Sequence, residues 1–118
     1  SLRLNTPLSL VVIDFDYFKQ LNDRGGHAAG DQALIDTVQL WKAGLRSRDV
    51  VGRTGGDEFA ILFDRTDASG AQRTMARLRA RSPHAWSWGV SQAREGDTVE
   101  SIFDRADQKL YAVKRGRE

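Results

Sequence analysis

Apolar positions recur along this chain in two rhythms. Leu8 to Asp14 reads LSLVVID, a short apolar run rich in β-branched residues, and predicts a buried strand ending on a carboxylate. Phe15 to Arg24 predicts a short helical turn that runs into the loop Gly25-Gly26-His27. From Asp31 the period lengthens. Leu34, Val38, Trp41 and Leu45 fall on one face of a long helix, with Asp31 near its start, where a carboxylate suits the helix dipole. Val50-Val51-Gly52-Arg53 predicts a strand, Gly55-Gly56 a two-residue hairpin turn, and Phe59 to Phe63 the return strand, apolar on both faces. Ala68 to Arg81 predicts an amphipathic helix stopped near Pro83, and Ala85 to Ser91 a further strand. Thr98 is the expected N-cap of a last helix whose apolar stripe is Val99, Ile102, Phe103, Ala106, Leu110 and Val113.

The expected order is β-α-α-β-β-α-β-α. A hairpin flanked by helix-containing crossovers predicts a ferredoxin-like α+β fold, an antiparallel sheet flanked by helices, with one extra helix. A length of 118 residues fits one domain, and no repeat or low-complexity linker divides it. The absence of cysteine excludes disulfides and thiolate metal sites and favours a reducing cytoplasm. No apolar run approaches the roughly 18 residues that span a bilayer, so no membrane contact is expected of this domain itself. The net charge of +2 is mild, with basic residues grouped at Arg46, Arg48 and Arg53, at Arg73–Arg81 and at Lys109–Arg117. That pattern suits a small anionic ligand better than duplex DNA, which calls for a longer basic stripe.

The acids give this ligand a place. Asp14 ends the first strand, and Asp57 and Glu58 begin the one after the hairpin. If the two strands are antiparallel neighbours, Asp14 faces Asp57 across the sheet end. Two such carboxylates repel unless a cation lies between them or one is protonated. Magnesium is the hard cation that takes carboxylate and phosphate oxygens together. The glycines leave room for a phosphate to approach, and Lys19, Lys114 and Arg117 offer it positive charge. From spacing alone, a metal-phosphate site and a plain turn with Asp14 as a helix cap both stand.

Three motifs decide between them. Asp14-Phe15-Asp16-Tyr17-Phe18-Lys19-Gln20-Leu21-Asn22-Asp23, then Gly26-His27-Ala28-Ala29-Gly30-Asp31, then Gly55-Gly56-Asp57-Glu58-Phe59, resemble the GGDEF family of diguanylate cyclases in order and spacing. With Ala106-Asp107, Tyr111 and Lys114 the likeness covers nearly the whole chain. The resemblance implies a palm-like, nucleotidyl cyclase-like sheet. It implies a bacterial signalling enzyme that condenses two GTP into cyclic di-GMP with Mg²⁺ or Mn²⁺, as a homodimer. It assigns metal binding to Asp14, the Phe15 carbonyl, Asp57 and Glu58, with Glu58 also assisting deprotonation of the ribose 3′-hydroxyl. Asn22 and Asp31 would read guanine, and Lys19, Lys114, Arg117 and the amides of Tyr17 and Phe18 would hold phosphates. Asp16 and Asp23 read as local caps or hydrogen-bonders, His27 as a loop-fixing residue, and Trp41, Phe63 and Trp88 as core.

Arg46-Ser47-Arg48-Asp49 adds an R-x-x-D ahead of the hairpin. At this position it resembles the family's inhibitory site for cyclic di-GMP, with Arg79 or Arg81 as further contributors from the same or a second subunit. Asp49 could instead cap the second strand. The chain also departs from the family pattern. The usual N-terminal helix with its D-x-L-T-G-L-x-N-R turn is missing, and the expectation is one GGDEF domain over residues 1–118, truncated at that helix and excised from a longer multidomain protein, with or without a membrane anchor. The connection from Leu78 to Trp86 is short, and the ending at Arg117 falls one residue short. Besides a cyclase, a catalytically weak cyclic di-GMP receptor and a cyclase of another base preference remain as readings.

Overall fold

The computed structural model describes residues 4–116 as β1 (Leu8–Phe15), α1 (Phe18–Gly44), β2 (Val50–Arg53), β3 (Glu58–Asp64), α2 (Ala68–Arg81), β4 (Trp86–Gln92) and α3 (Val99–Arg115). The four strands form one antiparallel sheet in the order β2-β3-β1-β4. This is the ferredoxin-like α+β arrangement with a last helix added. The extra helix of the expected order is not separate. A single α1 is bent at Gly26, whose φ of 76° and ψ of −179° interrupt it, a conformation that suits a residue without Cβ. The helix resumes directly after the bend, so Asp31 lies a turn inside it and not at its start.

Alternation assigns the two faces of the sheet. Val11, Ile13 and Phe15 of β1 pack with Phe59, Ile61 and Phe63 of β3 and Trp86 and Val90 of β4. Onto that face come Leu34 and Trp41 of α1 and Met75 and Leu78 of α2, so the predicted α1 stripe is the buried one. Trp41 sits edge-on to both Phe59 and Trp86, at centroid separations of 5.4 and 5.5 Å. The opposite face takes α3: Leu10 packs with Ile102, and Val12 with Ala106 and Leu110. Because β1 is apolar on both faces, it lies inside the sheet and is covered on both sides.

The β2–β3 connection differs from a two-residue turn. Arg53 pairs with Phe59, and the amides of Thr54 and Gly55 both donate to the Glu58 carbonyl, at 2.9 and 3.2 Å. Neither Gly55 nor Gly56 has a positive φ, which the primed two-residue turns require. The Arg53 guanidinium shapes this longer loop by donating to the carbonyls of Gly55 and Gly56 while lying 5.8 Å from the Phe59 ring centre.

Thr98 caps α3 as predicted, in a reciprocal box with Ser101. Beside it, Arg105 forks onto Asp97 at 2.7 and 2.8 Å, and the Arg94 amide donates to the same carboxylate at 2.7 Å. The Arg105 hydrogen bonds, followed by that amide, hold the Asp97 carboxyl far below the usual carboxylate range. A depressed folded value means the stabilisation is present above the unfolded pKa and is lost as pH falls through the folded one. Asp97→Asn is therefore expected to lower Tm at pH 7, with the gap to wild type narrowing below about pH 4. Calorimetric melts of both proteins from neutral to acidic pH check this.

Candidate functional site

The register brings the predicted acids together. Asp14 of β1 is paired with Glu58 of β3 on one side and Ser87 of β4 on the other. These three residues form one row across the sheet, on the face that carries α3. At its end the Phe15 amide donates to the Asp57 carbonyl at 3.3 Å, which ties the GGDEF loop to the end of β1. Lys114, in the last turn of α3, places its Nζ 2.8 Å from Asp14 Oδ2 and 3.7 Å from Asp16 Oδ1. Asp16 also accepts from the Ser87 hydroxyl at 2.9 and 3.0 Å, the structural role expected of it.

Negative charge exceeds positive charge at this corner. Burial first, and the charge of Asp14 second, push the Asp57 carboxyl above its ordinary value, against the opposing pull of its backbone hydrogen bond and Lys114. Asp14 Oδ1 is buried without a hydrogen-bond partner. Crowded carboxylate oxygens with an unsatisfied lone pair suit a hard divalent cation. The residues fit such an ion in kind, although no group of three or more acidic or histidine side chains is drawn into metal-binding geometry among the described residues. Glu58 is turned toward the loop, where its carboxylate accepts from the Thr54 hydroxyl at 3.0 Å. No atom lies within 4 Å of a Cβ placed on Gly56, so the space above the loop is open.

A second group forms across the bend in α1. Asn22 lies before Gly26 and Gly30 after it, and a Cβ on Gly30 would fall on the Asn22 amide and 3.1 Å from Phe18 Cζ. The bend thus folds Asn22 back onto the turn that carries Asp31. Asn22 Oδ1 is buried without a hydrogen-bond partner, while Asp31 is exposed. Tyr17 precedes the first turn of α1 with φ 59° and no side-chain cap, so the leading amides there are open to an anion. Lys19 is exposed in the same turn. Arg117 lies outside the described residues.

The R-x-x-D segment lies elsewhere, at the end of α1. Asp49 accepts from the Arg46 amide at 3.0 Å and from the Asp64 amide at 3.3 Å, so it closes the turn into β2 as well as facing a cleft. That cleft of about 230 Å³ is bounded by Arg46, Asp49, Thr66, Arg73, Thr74 and Arg77, among others. On α2 the arginines that border this cleft are Arg73 and Arg77, and Arg79 and Arg81 of the same chain do not border it. Arg73 and Arg77, four apart, share a helix face, and Arg81 lies one turn further along α2.

Comparison with known proteins agrees with this fold. The profile of the family described as diguanylate cyclase, GGDEF domain, matches residues 2–118. The chain belongs to the GGDEF family. The domain is 36% identical over 124 residues to the diguanylate cyclase DgcP of Pseudomonas aeruginosa, covering 94% of this chain and 18% of that protein. It is 35% identical over 124 residues to a diguanylate cyclase of Vibrio cholerae, covering 96% of this chain and 39% of that protein. The chain therefore spans well under half the length of these relatives. Its fold superimposes on the active GGEEF domain of a Vibrio cholerae diguanylate cyclase with a TM-score of 0.89 and 34% identity, covering 97% of this chain and 80% of that one. The GGDEF domain of DgcB from Caulobacter crescentus, solved with c-di-GMP, gives 0.87 and 31%, covering 94% and 74%.

Proposed function

We propose that this GGDEF domain condenses two GTP molecules into cyclic di-GMP, with release of two pyrophosphates. The observation that carries the reading is the corner formed by Asp14, Asp57 and Glu58, with its excess of carboxylate oxygen beside the open loop. Asp14, the Phe15 carbonyl, Asp57 and Glu58 would hold Mg²⁺ or Mn²⁺, which when bound neutralises phosphate charge and polarises the reacting oxygens. Glu58, near the loop surface, accepts the proton of the 3′-hydroxyl. Asn22 and Asp31 take the guanine edge, where a carboxylate accepts from N–H donors. The open amides at Tyr17 and Phe18, with Lys19, Lys114 and Arg117, hold the phosphates. Each 3′-oxygen attacks the α-phosphorus of the GTP on a second copy, so a two-fold homodimer makes both bonds equivalent. GTP places the domain in the cytoplasm, as one unit of a longer signalling protein. Among the described residues no helix is long and apolar enough to cross a membrane.

Incubation of concentrated, folded protein with GTP and either metal tests the reading. Cyclic di-GMP and pyrophosphate are the expected products, and ATP is expected to give none. Complete lack of turnover would sink the enzymatic reading of this chain.

Gly30→Ala probes the base pocket. The new methyl displaces the Asn22 amide, and nucleotide affinity is expected to fall at least about tenfold, or 1.4 kcal/mol. Stability changes less, because overpacking of about 1–3 kcal/mol is partly offset by about 1 kcal/mol of helix propensity. Titration calorimetry with a non-hydrolysable GTP analogue, beside a thermal melt, separates the two effects.

A second reading, a cyclic di-GMP receptor, draws on the cleft at Arg46. Three arginines converge there, and Asp49 is fixed by backbone amides. The same cleft would serve product inhibition in an active cyclase. Arg46→Ala is expected to weaken cyclic di-GMP binding about tenfold or more by calorimetry. Binding lost in that variant, with no GTP turnover in the wild type, would make the domain a receptor.

A further inference from the structure

The reading above gives Lys114 and Asp14 separate partners, yet the two side chains hold each other. Lys114 Nζ lies 2.8 Å from Asp14 Oδ2. A divalent ion on that carboxylate repels the ammonium beside it. The lysine must then leave Asp14 to reach a phosphate, and a partly buried cation that loses its carboxylate needs another. The structure places one within reach, because Asp16 Oδ1 lies 3.7 Å from the same Nζ.

Asp16 is held in place from several sides. Its amide donates to the Ala85 carbonyl at 2.9 Å. The Ser87 hydroxyl donates to its two carboxylate oxygens, at 3.0 and 2.9 Å. Ser87 is itself buried and stands directly opposite Asp14 in the β1–β4 register. The Asp16 side chain is 8% exposed against 27% for Asp14, so Asp14 is the carboxylate that an incoming ion meets. Lys114 reaches both from α3. Ile102, Ala106 and Leu110 form the buried stripe of that helix at a spacing of four, and Lys114 is the next step. The helix fixes where the lysine stem enters, and the two carboxylates decide where its ammonium rests.

We propose that Asp16, fixed by Ser87, is a positioning residue for Lys114. It takes over the ammonium when Asp14 binds a divalent ion and keeps it aimed at the nucleotide phosphates. The proposal rests on the roles given above to Asp14 and Lys114, and it adds a task to Asp16 and Ser87 beyond that of a hydrogen-bonded pair. It also reverses a simple expectation. A carboxylate without such a task only repels a triphosphate, so removing its charge would tighten nucleotide binding. Removing a positioning carboxylate weakens binding, and does so only while Lys114 is present.

Calorimetry with a non-hydrolysable GTP analogue and saturating Mg²⁺ tests the sign. Lys114→Met is expected to weaken binding about tenfold, the loss of one charge-assisted contact. Asp16→Asn is expected to weaken it about fivefold and Ser87→Ala about threefold in otherwise wild-type protein. In the Lys114→Met background both losses should vanish, as they must if the pair acts through the lysine. Thermal melts check the fold of each variant, and Ser87→Ala carries the test alone if Asp16→Asn does not fold. A second measurement needs neither nucleotide nor metal. Ser87→Ala changes no charge, so a shift of the Lys114 ammonium resonance in its NMR spectrum reports a moved lysine. A tenfold loss in Lys114→Met beside unchanged or tighter binding by Asp16→Asn would overturn the positioning role alone. Losses that persist without Lys114, or an unmoved ammonium resonance in Ser87→Ala, would do the same. Wild-type affinity in Lys114→Met would instead remove the phosphate role of Lys114, and the proposal with it.

Discussion

Asp14→Asn is expected to reduce GTP turnover by about a thousand-fold or more, while the fold survives with little change in stability. A thousand-fold corresponds to about 4 kcal/mol in the barrier, the scale of losing a charge that acts on a transferring phosphoryl group. The small stability effect follows from two opposed terms. The Lys114 ion pair with Asp14 is partly exposed on both sides, and such pairs contribute about 1 kcal/mol or less. Against that loss, the substitution removes the second-largest cause of the raised Asp57 pKa. A raised folded value means the stabilisation is complete below the unfolded pKa of 3.8 and is lost as pH rises through the folded one. The variant should therefore lose less stability than the wild type over the window just above that value. NMR titration of the Asp57 carboxyl should give a lower midpoint in the variant, still above the ordinary value because burial remains. Turnover close to wild type would remove Asp14 from the site, and an unchanged Asp57 midpoint would remove the coupling between the two carboxylates.

Much of this corner can be read from the chain because strand ends are simple. An apolar run that stops at Asp14 and another that starts after Asp57 and Glu58 place their acids together once the strands are antiparallel neighbours. What cannot be read is which face each acid occupies. β1 is apolar at both odd and even positions, so only the pairing with α3 reveals that Asp14 shares a face with Lys114. The pairing of Gly55 with Gly56 suggests a primed turn, yet Arg53 binds the loop carbonyls and stretches it, a tertiary contact that local turn preferences do not contain. Asn22 and Asp31 are visible as polar residues, but their association depends on one left-handed φ at Gly26. Arg73 and Arg77 border the cleft at Arg46 because of where along its axis α2 passes that end of the sheet, a tertiary placement that the apolar stripe of Ala71, Met75 and Leu78 does not encode.

The largest structural effect is expected at Gly89, in the middle of β4. A Cβ there would meet the backbone of α3: the Ala106 carbonyl oxygen, Leu110 N at 2.5 Å and Leu110 Cα at 3.1 Å. Backbone atoms cannot rotate aside as a side chain would, so α3 must lift from the sheet as a unit. Gly89→Ala is expected to destabilise the fold by about 3 kcal/mol, the upper part of the overpacking range. Two contacts would loosen with it. Val12 packs against Ala106 and Leu110, and the Ser91 hydroxyl donates to the Ile102 carbonyl at 2.7 Å. Lys114 travels on the same helix, so its 2.8 Å contact with Asp14 lengthens as well. The pattern separates this position from an ordinary core substitution on the other face. Denaturant melts should show the stability loss. Amide exchange should accelerate first in α3 and at Gly89 and Ser91, with Trp41 and its aromatic neighbours still protected. A wild-type midpoint for Gly89→Ala would mean that α3 does not rest on the β4 backbone, and the placement of Lys114 over the acidic corner would lose its structural basis.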